Sequence, residues 1–272
     1  MRIGKKQKVG QAPFSSIKQE EGSATESFQT ERLPWMSLFR LTKVYGKRNV
    51  VNNVTLDLFE GETLALLGGN ASGKSTLLQM ITGLLQPTSG SIHVCPGSGP
   101  KDISAIRDRI GLCRQQSALF DFLTVEQHLV FIAKLRRMES QDIKAQLNHL
   151  LDLLNLENNR YTIVTFLSTV SKSALSLALA LMGNPKVIAL DEPTQNMDPC
   201  MRQHAWEAIN QSKQAGSVII LSTQSMQEAE ALADRIGVLQ NGSLVACGTM
   251  AELEEKYGKM LLMFTMTSSV EY

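Results

Sequence analysis

The sequence lacks any run of about 18 consecutive apolar residues, the length that a helix needs to cross a bilayer. Hydrophobic residues make up 43% of the 272 residues and charged residues 19%, an ordinary balance for a globular protein with one large core or two smaller ones. We therefore expect no membrane-spanning segment in this chain. A role at a membrane would have to come through a partner or through further parts of the gene product.

Strong charge and closely spaced cysteines are also missing. The formal net charge is +1, which argues against a nucleic-acid-binding protein that works by neutralising many phosphates. No C-x-x-C pair occurs, so neither a zinc site nor a disulfide framework is indicated, and a reduced, cytosolic setting is favoured. The four cysteines are Cys95, Cys113, Cys200 and Cys247.

Residues 1–34 are polar, mixed in charge and poor in periodic hydrophobic residues. This composition predicts a disordered linker or tail. The segment has no apolar region of the secretory kind, and Arg2 follows Met1, so no glycine is in place for myristoylation.

A glycine-rich segment fits the phosphate-binding pattern G-x-x-x-x-G-K-[ST]. Residues 64–67 before it read as a buried strand and residues 77–81 after it as a helix, which is the order that the pattern requires. Backbone N–H groups of such a loop turn towards phosphate oxygens, and the positive end of the helix dipole faces them. Lys74 is predicted to reach the β- and γ-phosphates, and Ser75 to offer its hydroxyl to Mg²⁺. The alternative is a glycine-rich turn that only joins a strand to a helix. The segment consists of Gly68, Gly69, Asn70, Ala71, Ser72, Gly73, Lys74, Ser75 and Thr76.

A second apolar run ends in two carboxylates. Residues 187–190 read as a buried strand, and Asp191 and Glu192 follow it directly. Both acids are therefore expected at the carboxyl end of a central parallel strand, where α/β sheets bind ligands. Two acids at a strand end could also be solubilising charge, but a phosphate-binding loop in the same chain makes that alternative less favoured.

Strand and helix patterns alternate along most of the chain, which predicts an α/β fold of the P-loop, RecA-like kind, with a mostly parallel sheet and helices on both faces. Alternating polarity at residues 37–41 and 54–58 predicts an antiparallel β subdomain. Residues 236–247, with the turn signal Asn241-Gly242, predict a hairpin. Residues 260–266 read as a final strand.

Two helical patterns between residues 124 and 156 predict an all-helical insert. The first places Val125, Leu129, Ile132 and Leu135 on one face.

Together these motifs resemble the nucleotide-binding domain of ATP-binding cassette (ABC) transporters over about residues 36–250. Within this family, the amino-acid sequence of the motifs is most similar to subfamily A, whose members are typically lipid transporters with two such domains in one polypeptide. The matching segments are Leu41-Thr42-Lys43-Val44-Tyr45, Pro87-Thr88-Ser89-Gly90, residues 119–126 and Met197-Asp198-Pro199. The resemblance implies a nucleotide-binding domain at residues 35–250, a helical subdomain at about 117–183 and a C-terminal extension at 251–272. It further implies that the chain is a fragment, an isoform or an excised domain.

The resemblance implies a role for each residue that matches a motif. Gly68 to Thr76 would hold the phosphates. Gln115 would touch Mg²⁺ and the attacking water, Asp191 would hold Mg²⁺ through water, and Glu192 would act as general base or position that water. This division suits phosphoryl transfer, which needs positioning and charge neutralisation more than covalent chemistry.

Three further residues complete the implied site. Tyr45 would stack on adenine, although spacing alone leaves a plain turn residue equally compatible. Ser168, in the signature motif, would face the γ-phosphate bound to an opposite domain, and Asp198 would lie in the loop that crosses to that domain.

The chain departs from the family pattern at several positions. The Leu-Ser-Gly-Gly signature appears as Leu167-Ser168-Thr169-Val170, and a β-branched residue is expected to obstruct the close approach that glycine allows. Gln224 replaces the switch histidine; its side chain can hydrogen-bond a phosphate but carries no titratable proton. The loop has Asn70-Ala71 in place of Asn-Gly, expected to be a mild change. Ser171-Lys172-Ser173-Ala174 stands where arginines commonly follow the signature.

The resemblance implies an Mg²⁺-dependent ATPase, with ATP and Mg²⁺ as cofactors, that powers transport, with lipids as the implied cargo. Its partners would be a second, pseudo-symmetric nucleotide-binding domain, arranged head to tail, and transmembrane domains that attach it to the cytoplasmic side of a membrane; no nucleic acid is implied. Phe120 and Phe122 would border the groove that receives a membrane-domain helix, although the sequence alone is equally compatible with a buried packing role. The alternative is a degenerate cassette that binds ATP structurally or as a regulator. A P-loop kinase or GTPase is disfavoured, because no Asn-Lys-x-Asp motif occurs.

Overall fold

A computed structural model describes residues 33–94, 103–116 and 118–258. The strand predicted at residues 260–266 lies outside these ranges, as do residues 1–32 of the predicted tail. No helix within the described ranges is both long and apolar enough to cross a membrane.

The described ranges contain nine strands and seven α-helices. The strands are β1 (Met36–Tyr45), β2 (Arg48–Leu58), β3 (Thr63–Leu67), β4 (Ser89–Val94), β5 (Ile110–Cys113), β6 (Val187–Asp191), β7 (Val218–Thr223), β8 (Arg235–Gln240) and β9 (Ser243–Gly248). The helices are α1 (Lys74–Ile81), α2 (Val125–Leu135), α3 (Ser140–Leu153), α4 (Thr169–Leu181), α5 (Pro199–Gln214), α6 (Met226–Leu232) and α7 (Met250–Tyr257). Short 3₁₀ helices lie at Ile103–Arg109, Glu157–Asn159 and Val164–Phe166.

The main sheet has six strands in the order β5-β6-β7-β3-β8-β9. All neighbouring pairs from β5 to β8 are parallel, and only β9 is antiparallel, as the returning arm of the β8–β9 hairpin. The predicted mostly parallel sheet is therefore confirmed. Because its strands run parallel, the loops that leave their carboxyl ends all open at the same edge.

Alternate residues of the central strands pack on opposite faces of this sheet. In β6, Ile188 and Leu190 belong to the core shared with α4 and α5, whereas Val187 and Ala189 belong to the core shared with α1 and the smaller sheet. Because both faces are covered, the strands are apolar throughout rather than alternating in polarity. Helices thus lie on both faces, as predicted.

The smaller sheet is antiparallel, with strand order β2-β1-β4. It matches the antiparallel β subdomain that the alternating patterns predict. Residues 46 and 47 form the two-residue turn between β1 and β2, so Tyr45 at the end of β1 pairs directly with Arg48 at the start of β2. This pairing brings β2 to the edge of the phosphate-binding loop.

The all-helical insert is confirmed by α2, α3 and the adjoining α4, whose apolar faces share one core. The face predicted for α2 is wrong at its last position: Val125 and Leu129 are buried and Ile132 is half-buried, but Leu135 is exposed. Leu135 is the last residue of its helix, so helical periodicity alone does not determine its burial.

Helix α7 and the three 3₁₀ helices are absent from the sequence predictions. The 3₁₀ helix at Ile103–Arg109 has no periodic pattern that would distinguish it from a loop. Helix α7, in contrast, could have been predicted from its first residues, because Thr249 and Glu252 match the capping-box pattern and form that reciprocal pair of hydrogen bonds. The first residues of the predicted C-terminal extension are therefore helical.

Gly111 of β5 packs against α4 without room for a side chain. A Cβ atom there would lie 2.0 Å from the carbonyl oxygen of Ala180 and 2.9 Å from the ring of Pro185. Gly111→Ala is therefore expected to lower the free energy of unfolding by about 2 kcal/mol, because neighbouring backbone must shift. Urea denaturation followed by circular dichroism measures the change.

Gly237→Ala, in β8, is the matched control. Its added methyl would meet only the side-chain carbons of Leu244 and Leu66, at 3.1 and 3.4 Å, and these can move. The loss there is expected to stay below about 1 kcal/mol. Equal losses for the two variants would contradict the proposed clash with the α4 backbone.

Candidate functional site

The carboxyl ends of β3, β5, β6 and β7 converge on one cavity. The phosphate-binding loop leaves β3, Gln115 follows β5, Glu192 follows β6, and Gln224 follows β7. The cavity has a volume of about 240 Å³. It is lined by Arg48, Val50, Asn70, Ala71, Ser72, Gly73, Lys74, Ser75, Thr76, Gln115, Glu192 and Gln224. The sheet order thus brings together predicted residues that stand more than 150 positions apart in the chain.

The loop wraps around the side chain of Lys74. The Lys74 Nζ atom donates to the carbonyl oxygens of Gly68 and Gly69 at 2.7 and 3.0 Å. Burial of the ammonium group lowers the pKa of Lys74, and the negative charges of Glu192 and Asp191 partly offset this. The lysine therefore stands among oxygen acceptors, in a place where phosphate oxygens could replace the carbonyl groups.

Gly73 and Ala71 hold left-handed backbone conformations in this loop. Gly73 precedes α1 with φ 105°, and a Cβ atom there would lie 2.5 Å from the carbonyl oxygen of Val50. Ala71 has φ 58°, which costs a non-glycine residue about 1 to 2 kcal/mol. The change from Asn-Gly to Asn70-Ala71 therefore acts through the backbone, whereas the sequence suggested only a mild effect of one methyl group.

The hairpin turn between β8 and β9 supports the loop from behind. The Gly242 N–H donates to the Ser72 carbonyl oxygen at 3.0 Å, and the Asn52 N–H donates to the Gly242 carbonyl oxygen at 2.8 Å. A Cβ atom on Gly242 would lie 2.5 Å from the carbonyl oxygen of Val50. The turn, β2 and the loop are thus held together by backbone contacts that tolerate no side chain.

Asp191 lies between the loop and β7. Its Oδ1 atom accepts hydrogen bonds from the Ser75 hydroxyl at 3.1 Å and from the Ser222 hydroxyl at 2.5 Å. The carboxylate therefore joins β6, β7 and the first turn of α1. Ser75 and Asp191, the residues predicted to hold Mg²⁺, are already in contact.

Glu192 is placed by a strained backbone. Its φ is 48°, a left-handed value that is uncommon for a residue other than glycine, and its N–H donates to the backbone oxygen and the hydroxyl of Ser222 at 3.1 and 3.2 Å. Its Oε1 atom is buried without a hydrogen bond and lies 4.0 Å from Lys74 Nζ. Burial raises the pKa of Glu192, while hydrogen bonding with Gln224 and the charge of Lys74 partly oppose the rise.

Two glutamines border the cavity with their amides already engaged. The Gln224 Nε2 group donates to the Asn70 side-chain oxygen, and the Gln115 Nε2 group donates to the Gln195 side-chain oxygen, each at 3.0 Å. Each amide keeps its own oxygen as a further acceptor. Both predicted glutamines thus reach the cavity.

A buried carboxylate joins the segments behind Glu192 and Gln224. The Glu228 side chain is 2% exposed and accepts from the Thr194 hydroxyl at 2.6 Å and from the Trp206 indole N–H at 3.3 Å. Thr194 follows Glu192 by two residues, Trp206 belongs to α5, and Glu228 belongs to α6. This network fixes three elements around the site to one another.

Six predicted residues stand outside the cavity lining. Of these, Gly68, Gly69 and Asp191 bond to Lys74 or Ser75, which do line it. Tyr45 is half-exposed at the end of β1. Ser168 and Asp198 cap helices: the Ser168 hydroxyl accepts from the Ser171 N–H, and Asp198 Oδ1 accepts from the N–H groups of Cys200 and Met201. The implied contact of Tyr45 is with a nucleotide base, and those of Ser168 and Asp198 are with a partner domain, so all three roles stay predictions.

The donor set fits a nucleotide with Mg²⁺. The buried Ser72 hydroxyl and Glu192 Oε1 both border the cavity and have no hydrogen-bond partner among the described residues, so they are available to a polar ligand. The described ranges hold no cluster of three metal-binding His, Cys, Asp or Glu side chains. This suits Mg²⁺, which is usually held by one or two carboxylates together with water and substrate phosphates.

Several residues of the site were not found from the sequence. Arg48 and Val50 line the cavity through the folding of the β1–β2 hairpin, and Gly242 reaches the loop through the β8–β9 turn. Ser222 and Glu228 act through side-chain contacts across the sheet and between helices. Ser222 could have been predicted, because it is a polar residue near the end of an apolar strand. The other residues could not, because only tertiary contacts bring them to the site.

Comparison with known proteins agrees with this geometry. The family model described as ABC transporter matches residues 51–195. ATP-binding cassette sub-family A member 2 of Homo sapiens is 39% identical over 221 residues, which are 80% of this chain and 9% of the relative. Phospholipid-transporting ATPase ABCA3 of Mus musculus is 37% identical over 254 residues, which are 89% of this chain and 15% of the relative. The chain thus spans only a small part of the curated relatives it matches.

Solved structures share the fold. A structure described as an ATP-binding subunit of an ABC transporter is 27% identical, with a TM-score of 0.76 over 82% of this chain and 93% of its own. A dimeric bacterial ABC transporter cassette, 24% identical, has a TM-score of 0.71 over 79% of this chain and 98% of its own, and supports the fold alone. Because the family model covers more than half of the 272 residues and the relatives named here are of subfamily A, the chain belongs to the ABC transporter family, with a subfamily A-like nucleotide-binding domain.

Proposed function

We propose that this chain binds and hydrolyses ATP to drive transmembrane transport as part of a subfamily A-like transporter. The observation that carries the proposal is the closeness of Glu192 Oε1 to Lys74 Nζ, 4.0 Å apart in one cavity. A carboxylate beside a phosphate-binding lysine can position a water molecule against a terminal phosphate.

Each residue has a distinct part in this proposal. Lys74 leaves the carbonyl groups of Gly68 and Gly69 to bind phosphate oxygens. Ser75, Asp191 and Gln115 would hold Mg²⁺, which when bound neutralises charge on the phosphates. Glu192 accepts a proton from, or orients, the attacking water; its raised pKa makes it a better base than an exposed carboxylate.

The signature segment is the weak part of the site. Helix α4 begins at Thr169, and Ser168 caps it with a hydroxyl that also contacts the Ser171 hydroxyl at 3.0 Å. Thr169 and Val170 place branched side chains where the family has glycines. We infer that the composite site receiving this segment only holds nucleotide, while the loop of this chain binds and hydrolyses ATP with an intact signature from a pseudo-symmetric partner domain.

A second candidate function is a regulatory cassette with little turnover. Gln224 favours it, because its amide is bonded to Asn70 of the loop rather than free to meet a phosphate. In this case ATP is a structural or regulatory ligand. Glu192 opposes this alternative.

Exposed aromatic residues on the insert support a membrane-domain partner. Phe120 lies 6.1 Å from Phe122 and 5.7 Å from Phe131, measured between ring centroids, and Phe122 is 74% exposed. The buried ring of His128 supports Phe120: its Nε2 atom accepts from the Phe120 N–H at 2.9 Å. We propose this cluster as the surface that meets a transmembrane domain at the cytoplasmic side of a membrane.

The proposed cargo is a lipid. Two of the similar proteins are named as a phospholipid-transporting ATPase and a glucosylceramide transporter. Selectivity would reside in transmembrane segments rather than in the nucleotide-binding domain.

Lys74→Ala is expected to weaken ATP binding by about 100-fold, because it removes the buried ammonium group that meets the phosphates. Isothermal titration calorimetry with ATP measures the affinity. Lys144→Ala, at an exposed position of α3, is the control and should leave the affinity unchanged. Equal affinities for the Lys74 variant and the wild type would refute the phosphate-binding role.

Glu192→Gln is expected to keep ATP binding and to stop turnover, because an amide cannot accept the proton from water. Phosphate release in Mg²⁺-ATP, measured beside nucleotide binding on the same samples, tests this. Glu255→Gln in α7, also an exposed position, controls for the loss of a charge. Undiminished turnover in Glu192→Gln would exclude Glu192 as base or water-positioner.

Replacing both Thr169 and Val170 by glycine is expected to increase ATP-dependent self-association, because close approach of the α4 N-terminus is restored. Light scattering in the Glu192→Gln background, where bound ATP is preserved, measures the change. Replacing both by alanine is the control: it removes the branching but keeps Cβ, and should give a smaller increase. If scattering is unchanged by the glycines, another feature limits closure.

A further inference from the structure

Arg48 lines the cavity together with the phosphate-binding loop. It begins β2 and pairs with Tyr45 across the two-residue turn of the hairpin. Directly opposed residues of an antiparallel pair project from the same face, so Tyr45 and Arg48 share one face of the hairpin. The pairing register shifts between Asn49 and Val51, and Arg48 and Val50 both line the cavity.

Arg48 has the phosphate-binding loop on one side along β2 and Tyr45 on the other. Two residues further along the strand, the Val50 carbonyl oxygen lies against Gly73 of the loop, beside Lys74. Tyr45 lies across the turn, outside the cavity lining; Lys43 Nζ lies 5.4 Å from its ring centroid and donates to the Gln86 carbonyl oxygen at 2.7 Å. Arg48 thus stands between the tyrosine and the loop.

The guanidinium of Arg48 is not engaged elsewhere in the described part of the chain. Arg160 and Arg235 pair with carboxylates at 2.6 and 3.1 Å, but no described Asp or Glu lies within 4.0 Å of Arg48. An exposed, unpaired guanidinium beside a phosphate-binding loop can present two parallel N–H donors to a phosphate.

We propose that Arg48 is a nucleotide-binding residue whose guanidinium contacts the α-phosphate. This inference rests on the proposed ATP binding and adds a specific residue to it. The resemblance implies that the β- and γ-phosphates bind at Lys74 and the base at Tyr45, which would put the phosphate nearest the ribose beside Arg48. The contact fixes the direction in which the nucleotide enters the cavity.

Arg48→Ala is expected to raise the dissociation constants of ATP and ADP by the same factor, roughly five- to tenfold, as fits a charge-assisted bond at an exposed position. Calorimetric titration of the full chain with ATP, ADP and 2′,3′-dideoxy-ATP measures all three. The dideoxy nucleotide should show the same factor, because the contact is to phosphate rather than to ribose hydroxyls. Arg48→Lys, which keeps the charge but loses the planar fork, should lie between the wild type and Arg48→Ala.

Lys47→Ala is the matched control, because it removes the same charge from the same turn at a position outside the cavity lining. Its dissociation constants should stay within about twofold of the wild type. Equal values for Lys47→Ala and Arg48→Ala would overturn the inference, and so would a loss confined to ATP or one that disappears with the dideoxy nucleotide. Failure of the wild type to bind ATP would overturn the proposed function as well, whereas an unchanged Arg48→Ala beside a defective Lys74→Ala would overturn this inference alone.

Discussion

The hydrogen-bonded carboxylate of Asp191 is the contact on which the site depends. It accepts from Ser75 at the start of α1 and from Ser222 at the end of β7, so one side chain sets the spacing of three elements. Ser222 also receives the N–H of Glu192, and this bond helps to hold that residue in its left-handed conformation. The positions of the loop, the proposed metal ligands and the second carboxylate are therefore linked through a few hydrogen bonds around one buried carboxylate.

The fold was largely predictable because its signals are local. Each buried strand is an apolar run bounded by loop residues, and the hairpin turn carries the Asn241-Gly242 pair. The predictions fail where the burial of a residue depends on its distance from the end of a helix rather than on helical periodicity. Leu135 is the last residue of its helix and is exposed, although it belongs to the predicted apolar face. Helix α7 was missed although its capping box is present, because its hydrophobic pattern is weak, with only Leu253 fully buried.

The site was predictable to the extent that it consists of segments with fixed spacing. The loop, the two carboxylates, Gln115 and Gln224 follow strand ends, and parallel strands bring their ends to one edge. Arg48, Gly242 and Glu228 could not be found in this way, because they reach the site through a hairpin register, a turn packed against the loop, and a contact between helices. The conformational cost at Ala71 was also not predictable, because it depends on the φ angle of this residue, which only the structure gives.

The buried Glu228 network has an optical consequence. The chain has two tryptophans, and the indole N–H of Trp206 donates to the same carboxylate that receives the Thr194 hydroxyl behind Glu192. Indole emission responds to the polarity and charge next to the ring nitrogen. The intrinsic fluorescence of Trp206 therefore reports movements of the segment that carries Glu192, and the protein contains its own probe of that segment without an added label.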